Sequence, residues 1–281
     1  KILCELGFSV IVTTSFREIP IGCDLYFAWW ASGSIFPLIK ARISRKPIIV
    51  VAGGQEVMFN KDSDSDMPIG YLATPWYKKL ATKICLRYST IVLVVSNYMV
   101  KDRRKLGALN PIVVHNCVNT KTFNLANLPR RFVTTIFNSD KNVIGNKRGE
   151  IFVRSIPFVL QDFPEQKFII IGRKGSAYKR LQKIILDLGI EKNVEFIGSI
   201  DNSEVLKWLQ SSKVYVQISD TETFGVAIAE AMSCGTPVVV SKKGAIPEVV
   251  GNCGLYVDHN DPRSVANGII DLLKKKEGEL Y

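Results

Sequence analysis

Short β-branched runs alternate with helical patterns along the whole chain. In the first half, SVIVTT (9–14), CDLYFAW (23–29), PIIVVA (47–52), TIVLVV (90–95) and PIVVH (111–115) read as strands. Helices are expected there at 34–45, 75–88 and 97–106. In the second half, FVTTIF, KFIIIG, VEFIG, VYVQI, PVVVS and GLYV read as strands. Helical segments separate them at about 149–161, 177–188, 202–211, 224–234, 245–250 and 262–275. This alternation predicts parallel sheets with helices on both faces. A polar stretch without periodicity, NTKTFNLANLPRR (119–131), divides the chain into domains at 1–122 and 123–281. Two doubly wound α/β domains facing a cleft are expected, with ligands at the carboxyl ends of the strands. KILCELGFSV reads as a helix end running into a strand, so the N-terminal domain is expected to lack its first strand and glycine-rich turn. The closing KKKEGELY has no clear structural end, and the chain reads as a fragment.

Composition narrows the class. Hydrophobic residues make up 47% of the 281 positions and charged ones 22%, which excludes a disordered chain. The longest apolar runs reach five or six residues, far short of the roughly 18–20 that span a bilayer. Six scattered cysteines form no CxxC pair, so neither a metal nor a disulfide framework is expected. With no secretory pattern in KILCELGFSVIVTT, a cytoplasmic location is expected, and the inner face of the plasma membrane is a second option that rests on residues 75–88. The net charge of +11 is uneven: residues 1–129 carry 16 Lys and Arg against 8 Asp and Glu. That field favours anionic partners, and no nucleic-acid module accompanies it.

The chemistry concentrates between Lys213 and Asp258. VYVQIS leads into the loop DTETFG, then an apolar helix containing Glu230, then Gly235-Thr236-Pro237 and the strand VVVS. Acids are rarely buried without a partner, so Glu230 asks for one. The amides of Phe224, Gly225 and Val226 open the helix, a ready anion site. Eight helical steps from Glu222 to Glu230 would rise roughly 12 Å, the span from a sugar across a diphosphate to a ribose.

ETFGVAIAE followed by AMSCGTPVVVSKKGAIPEVV closely resembles the E-x7-E region of family 4 glycosyltransferases, which have the GT-B fold of two Rossmann-like domains. FIIIGRKG, NVEFIGSIDNSEVLKWLQSSKVYVQIS and GNCGLYVDHNDPRSVANGIIDLL extend the likeness, and DLYFAWWASG, VVAGGQEV and VVHNCVNTKTF carry it upstream. The resemblance implies a retaining transfer from a nucleotide-diphosphate sugar, a UDP- or GDP-sugar, to a glycan, lipid or small-molecule acceptor, without a metal or other cofactor. It assigns Glu222 to the donor sugar and Glu230 to the ribose. Thr223, Phe224, Gly225 and Val226 would line the diphosphate, while Gly198, Ser199 and Ile200 would flank the base and Gly172 would join the donor site. Lys147 or Arg148, in FNSDKNVIGNKRGE, would supply the cation that steadies the leaving phosphate. The family's preceding Gly-Arg is absent, with Ser139 and Asp140 nearby instead. Gly53, Gly54 and Glu56 would lie on the acceptor side.

Plainer readings compete. A non-catalytic sugar-nucleotide module or an inactive fragment fits the absent Arg and first strand; an epimerase would need acid and base residues that the sequence does not reveal. Without G-x-G-x-x-G after a strand, a dehydrogenase is disfavoured. Cys234 reads as packing, His115 as structural, and His259, in DHNDP, as part of a turn and helix cap before Pro262. KDSDSDMP (61–68) lacks the Gly and Glu of a calcium loop and reads as solvated. On PWYKKLATKICLRY (75–88), Trp76, Leu80 and Ile84 form one stripe and Lys79, Lys83 and Arg87 another. Such a helix either lies on an anionic membrane or packs its apolar stripe inward.

Overall fold

The computed structural model describes residues 2–54, 57, 58 and 70–275. Its strands form two parallel sheets. The first holds β1 (Tyr26–Trp29), β2 (Ile48–Val51), β3 (Ile91–Val94) and β4 (Pro111–Val113), hydrogen-bonded in that order. Helices α1 (Ile2–Glu5), α2 (Ile35–Ile43), α3 (Trp76–Tyr88) and α4 (Val100–Lys105) accompany it. Strand alternation decides what the sheet buries. On β1, Tyr26 and Ala28 enter the core, where Leu38 of α2 and Leu86 of α3 meet them, while Phe27 and Trp29 face outward.

The run 9–14 forms no strand, contrary to its β-branched pattern. Ile11 and Val12 stand exposed. Propensity alone does not hold a strand, which needs a hydrogen-bonded neighbour and a face to bury.

The second sheet contains β5 (Phe132–Ile136), β6 (Lys167–Ile171), β7 (Val194–Gly198), β8 (Ser212–Gln217), β9 (Val238–Ser241) and β10 (Leu255–Val257). Its helices are α5 (Lys141–Lys147), α6 (Gly149–Asp162), α7 (Tyr178–Asp187), α8 (Asn202–Gln210), α9 (Val226–Ser233), α10 (Ile246–Val250) and α11 (Pro262–Lys274). The strand order is β10-β9-β8-β5-β6-β7, the doubly wound arrangement, which reverses between β5 and β8. Both faces are covered. Val214 and Val216 of β8 point into one core with Phe152, Leu181 and Ile269, while Tyr215 between them enters the other with Ile228 and Ile246. That two-sided burial is why these strands read as unbroken apolar runs.

The two sheets are joined by direct contacts. Phe224, from the loop before α9, is buried in the core of the first sheet. The Glu248 carboxylate of α10 accepts hydrogen bonds from the backbone amides of Asn97 (2.8 Å) and Tyr98 (2.6 Å). His115 stands 3.5 Å from the same carboxylate, its ring 6.1 Å from that of Phe224. The histidine therefore lies at the seam between the lobes.

Candidate functional site

The carboxyl ends of β5 and β8 lie side by side where the strand order reverses, so the loops after them share one crevice. The first loop leads through α5 to Lys147 and Arg148; the second is residues 218–225. They are stitched together by one main-chain bond and one side-chain bond. The Asp220 amide donates to the Asn146 carbonyl (2.7 Å), and the Asn146 side chain donates to the Thr221 carbonyl (3.1 Å).

Glu222 is nearly buried and engaged at one oxygen. Its Oε1 accepts from Gln217 Nε2 and Ser219 Oγ, each at 2.8 Å, and from Lys147 Nζ. No bond to Oε2 is recorded among the described residues, so this oxygen is held in place and available. The backbone behind it is equally confined: a Cβ on Gly244 (φ +60°) would come within 2.6 Å of the Glu222 main chain. The neighbouring cation, Arg148, turns to another acid, Asp220, at 3.3 Å.

Helix α9 begins at Val226, after Gly225 in a left-handed conformation (φ 98°). Only the last part of the Glu222-to-Glu230 interval is therefore helical, and the 12 Å rise expected for a continuous helix does not apply. Among the described residues, no acceptor is recorded for the amides of Phe224, Gly225 and Val226. Glu230 is half-buried on α9, and burial raises its carboxyl above the usual glutamate value. No side-chain partner for it is recorded among the described residues. A buried chain leads to Glu222: Tyr215 Oη donates to Gln217 Oε1 at 2.6 Å, and Gln217 donates onward to Glu222. Burial, then the charges of Glu222 and Glu230, push the Tyr215 phenol well above its ordinary value, which keeps it a donor.

The remaining expected positions divide. Gly172 (φ 139°) closes strand ends: a Cβ there would lie 2.2 Å from the Phe137 carbonyl, and its amide donates to the Gly198 carbonyl (2.9 Å). Gly198 itself has open space beside it, Ser199 is exposed and Ile200 half-buried. Thr223 is half-buried in the loop itself. Gly53 lies against Val95, and the Gly54 carbonyl accepts from Arg103 Nη2 at 3.3 Å. Glu56 and the stretch 61–68 lie outside the described residues. Cys234 is buried, and burial pushes its thiol up to about 11, as packing requires.

Several site residues escaped sequence reasoning. Gln217, Ser219, Asp220 and Asn146 are buried polar residues at strand and helix ends, a placement visible only once β5 and β8 are known neighbours. Arg103, from α4, is fully buried and ties the carbonyls of Ala52, Gly54 and Val57 together. In DHNDP, Asp261 caps α11 as expected, but His259 is buried and bonded to Asp220 at 3.0 Å. Turn chemistry in the local sequence concealed a contact 39 residues away.

The fold and crevice define a class: an α/β protein of the GT-B type, with two parallel Rossmann-like sheets. Anabaena HepE, solved in complex with UDP and glucose, is similar over 90% of this chain and 69% of its own, with a TM-score of 0.74 at 20% identity. Residues 141–280 match the model of the family described as glycosyl transferases group 1. Through this region the chain belongs to the group 1 glycosyl transferases. N-acetyl-alpha-D-glucosaminyl L-malate synthase of Bacillus anthracis is 28% identical over 207 residues, 68% of this chain and 52% of that protein. D-inositol 3-phosphate glycosyltransferase of Corynebacterium jeikeium is 30% identical over 131 residues, 44% of this chain and 31% of that one. The chain thus spans about half or less of the length of these curated relatives.

Proposed function

We propose that the crevice binds a nucleotide-diphosphate sugar and transfers its sugar with retention of configuration to a glycan, lipid or small-molecule acceptor. The observation that carries this reading is the pair of acids around the start of α9. Glu222 is held rigidly with one oxygen to offer, and Glu230 is half-buried with no recorded protein partner. A half-buried carboxylate left unpaired is costly, and a ligand diol would satisfy it. Glu230 would hold the ribose hydroxyls and Glu222 those of the donor sugar. Thr223 and the amides of Phe224, Gly225 and Val226 would meet the diphosphate between them. Gly198, Ser199 and Ile200 would flank the base, Gly172 would join the donor site, and Gly53 and Gly54 would lie on the acceptor side.

As the bond from the anomeric carbon to the phosphate oxygen breaks, negative charge grows on the leaving diphosphate. Lys147 and Arg148, already fixed by Glu222 and Asp220, would stabilise it without reorganising. The acceptor hydroxyl forms the new bond on the same face and passes its proton to the departing phosphate.

Helix α3 supports a peripheral contact with an anionic membrane through residues 75–88. Trp76 is 76% exposed and Leu80 52%, so the outer part of the apolar stripe faces water, while Ile84 alone packs toward the core. Four cations and no acid lie on this segment. No helix among the described residues is long and apolar enough to cross a membrane. The six free thiols fit the reducing interior, and we place the contact at the inner face of the plasma membrane.

A calorimetric screen of UDP, GDP and their sugars tests the donor assignment, with UDP first because the HepE complex contains it. Micromolar binding with donor turnover is expected. Binding without hydrolysis or transfer to any of a panel of acceptors would favour a non-catalytic module, and no binding would remove the donor site.

A further inference from the structure

Asp220 stands two residues before Glu222, with its side chain entirely out of water. Two groups converge on its Oδ1: Arg148 Nη2 at 3.3 Å from the start of α6, and His259 Nε2 at 3.0 Å from the turn before α11. His259 is itself buried, and its other ring nitrogen looks toward the exposed Asp258 at 3.8 Å. A carboxylate so deeply placed demands charged or donating partners, and here they come from both ends of the second lobe.

The geometry of Arg148 gives this cluster a purpose. The residue joins α5 to α6 in a left-handed conformation (φ 51°, ψ 37°), which a residue bearing a side chain adopts only when its surroundings hold it. That turn sends consecutive side chains to different acids, Lys147 to Glu222 and Arg148 to Asp220. The two cations are set by one turn, and the turn is clamped by one buried acid.

We propose that Asp220 and His259 are positioning residues of the donor site, holding Arg148 and its left-handed turn so that both cations stay aimed at the donor's diphosphate. His259 orients the Asp220 carboxylate, and Asp220 holds the guanidinium in an ion pair; neither touches the substrate. The role rests on the donor-site reading above.

The test separates phosphate recognition from general stability. Affinities of the full chain for UDP and for uridine, or for GDP and guanosine if that is the pair bound, are measured by calorimetry alongside thermal melting. Asp220→Asn keeps the shape and removes the charge. It should weaken diphosphate binding roughly ten- to hundredfold while leaving nucleoside binding within about twofold. His259→Ala should lose part of this preference, and His259→Gln, which restores a donor, should recover most of it. A folded Asp220→Asn chain with an unchanged ratio of diphosphate to nucleoside affinity overturns the role. If that variant does not fold, His259→Ala decides, and an unaltered ratio there overturns it equally. A wild-type chain that binds no nucleotide removes the donor reading itself and the positioning role with it.

Discussion

Glu230 is the residue whose environment says most. Its carboxyl is half-buried, and burial alone raises its folded value above the unfolded one. An acid shifted upward favours the folded state fully below its unfolded range, and that contribution disappears as the pH rises through the raised value. At pH 7 the ionised group therefore costs the empty protein stability. Glu230→Gln should melt about 1–2 °C higher than wild type at pH 7, with the gap closing near pH 4. The same substitution should weaken nucleoside diphosphate binding roughly ten- to hundredfold, because a carboxylate accepts strongly from a diol. Stability and affinity moving in opposite directions is the signature of a ligand residue. A lower melting point with unchanged affinity would mark Glu230 as structural.

Among the elements, α3 gives two predictions in one helix. Leu86 is buried in the first core, whereas Trp76 and Leu80 are exposed. Leu86→Ala should cost about 2–5 kcal/mol in urea unfolding, while Trp76→Ala should stay within about 0.5 kcal/mol of wild type. If the exposed stripe meets lipid, the ranking reverses in co-sedimentation with anionic vesicles. There Trp76→Ala, or joint reversal of Lys83 and Arg87 to Glu, should abolish most pelleting, and neutral vesicles should pellet little of the wild type. Equal pelleting of wild type and the charge-reversed chain would sink the contact.

For the whole molecule, the seam between the lobes is the part with consequences. Burial pushes the Glu248 carboxyl up, but hydrogen bonds from Asn97 and Tyr98, with His115 beside them, outweigh it and leave the value lowered. An acid depressed in this way supports the contact above its unfolded range, and that support is lost as the pH falls through the folded value. Small-angle scattering should show the lobes together at pH 7 and parting only as the pH falls below the ordinary glutamate range and through this lowered value. Glu248→Gln should shift the radius of gyration toward the parted value already at pH 7. Scattering curves that match across this pH range and in both proteins would show that Phe224 packing holds the seam without the carboxylate.

Much of this protein is a matter of local pattern. Val214 and Val216 against Tyr215, or Tyr26 and Ala28 against Phe27 and Trp29, announce strands because side-chain direction alternates within a few residues. The E-x7-E stretch likewise carries its own spacing, so Glu222 and Glu230 were legible as a pair. What escaped was set by partners far along the chain. Residues 9–14 have strand composition and no strand beside them. α5 offers no apolar stripe and forms where the β5 loop packs against residues 173–177. Asp220 and His259 are unremarkable until the strand order places their turns together. Short-range sterics and hydrophobic periodicity thus determined most of the elements and the two-sheet architecture, while the acidic pair was legible through its likeness to the E-x7-E region. Tertiary packing alone decided which charges face each other, because a buried charge takes its partner from whatever the fold brings within reach.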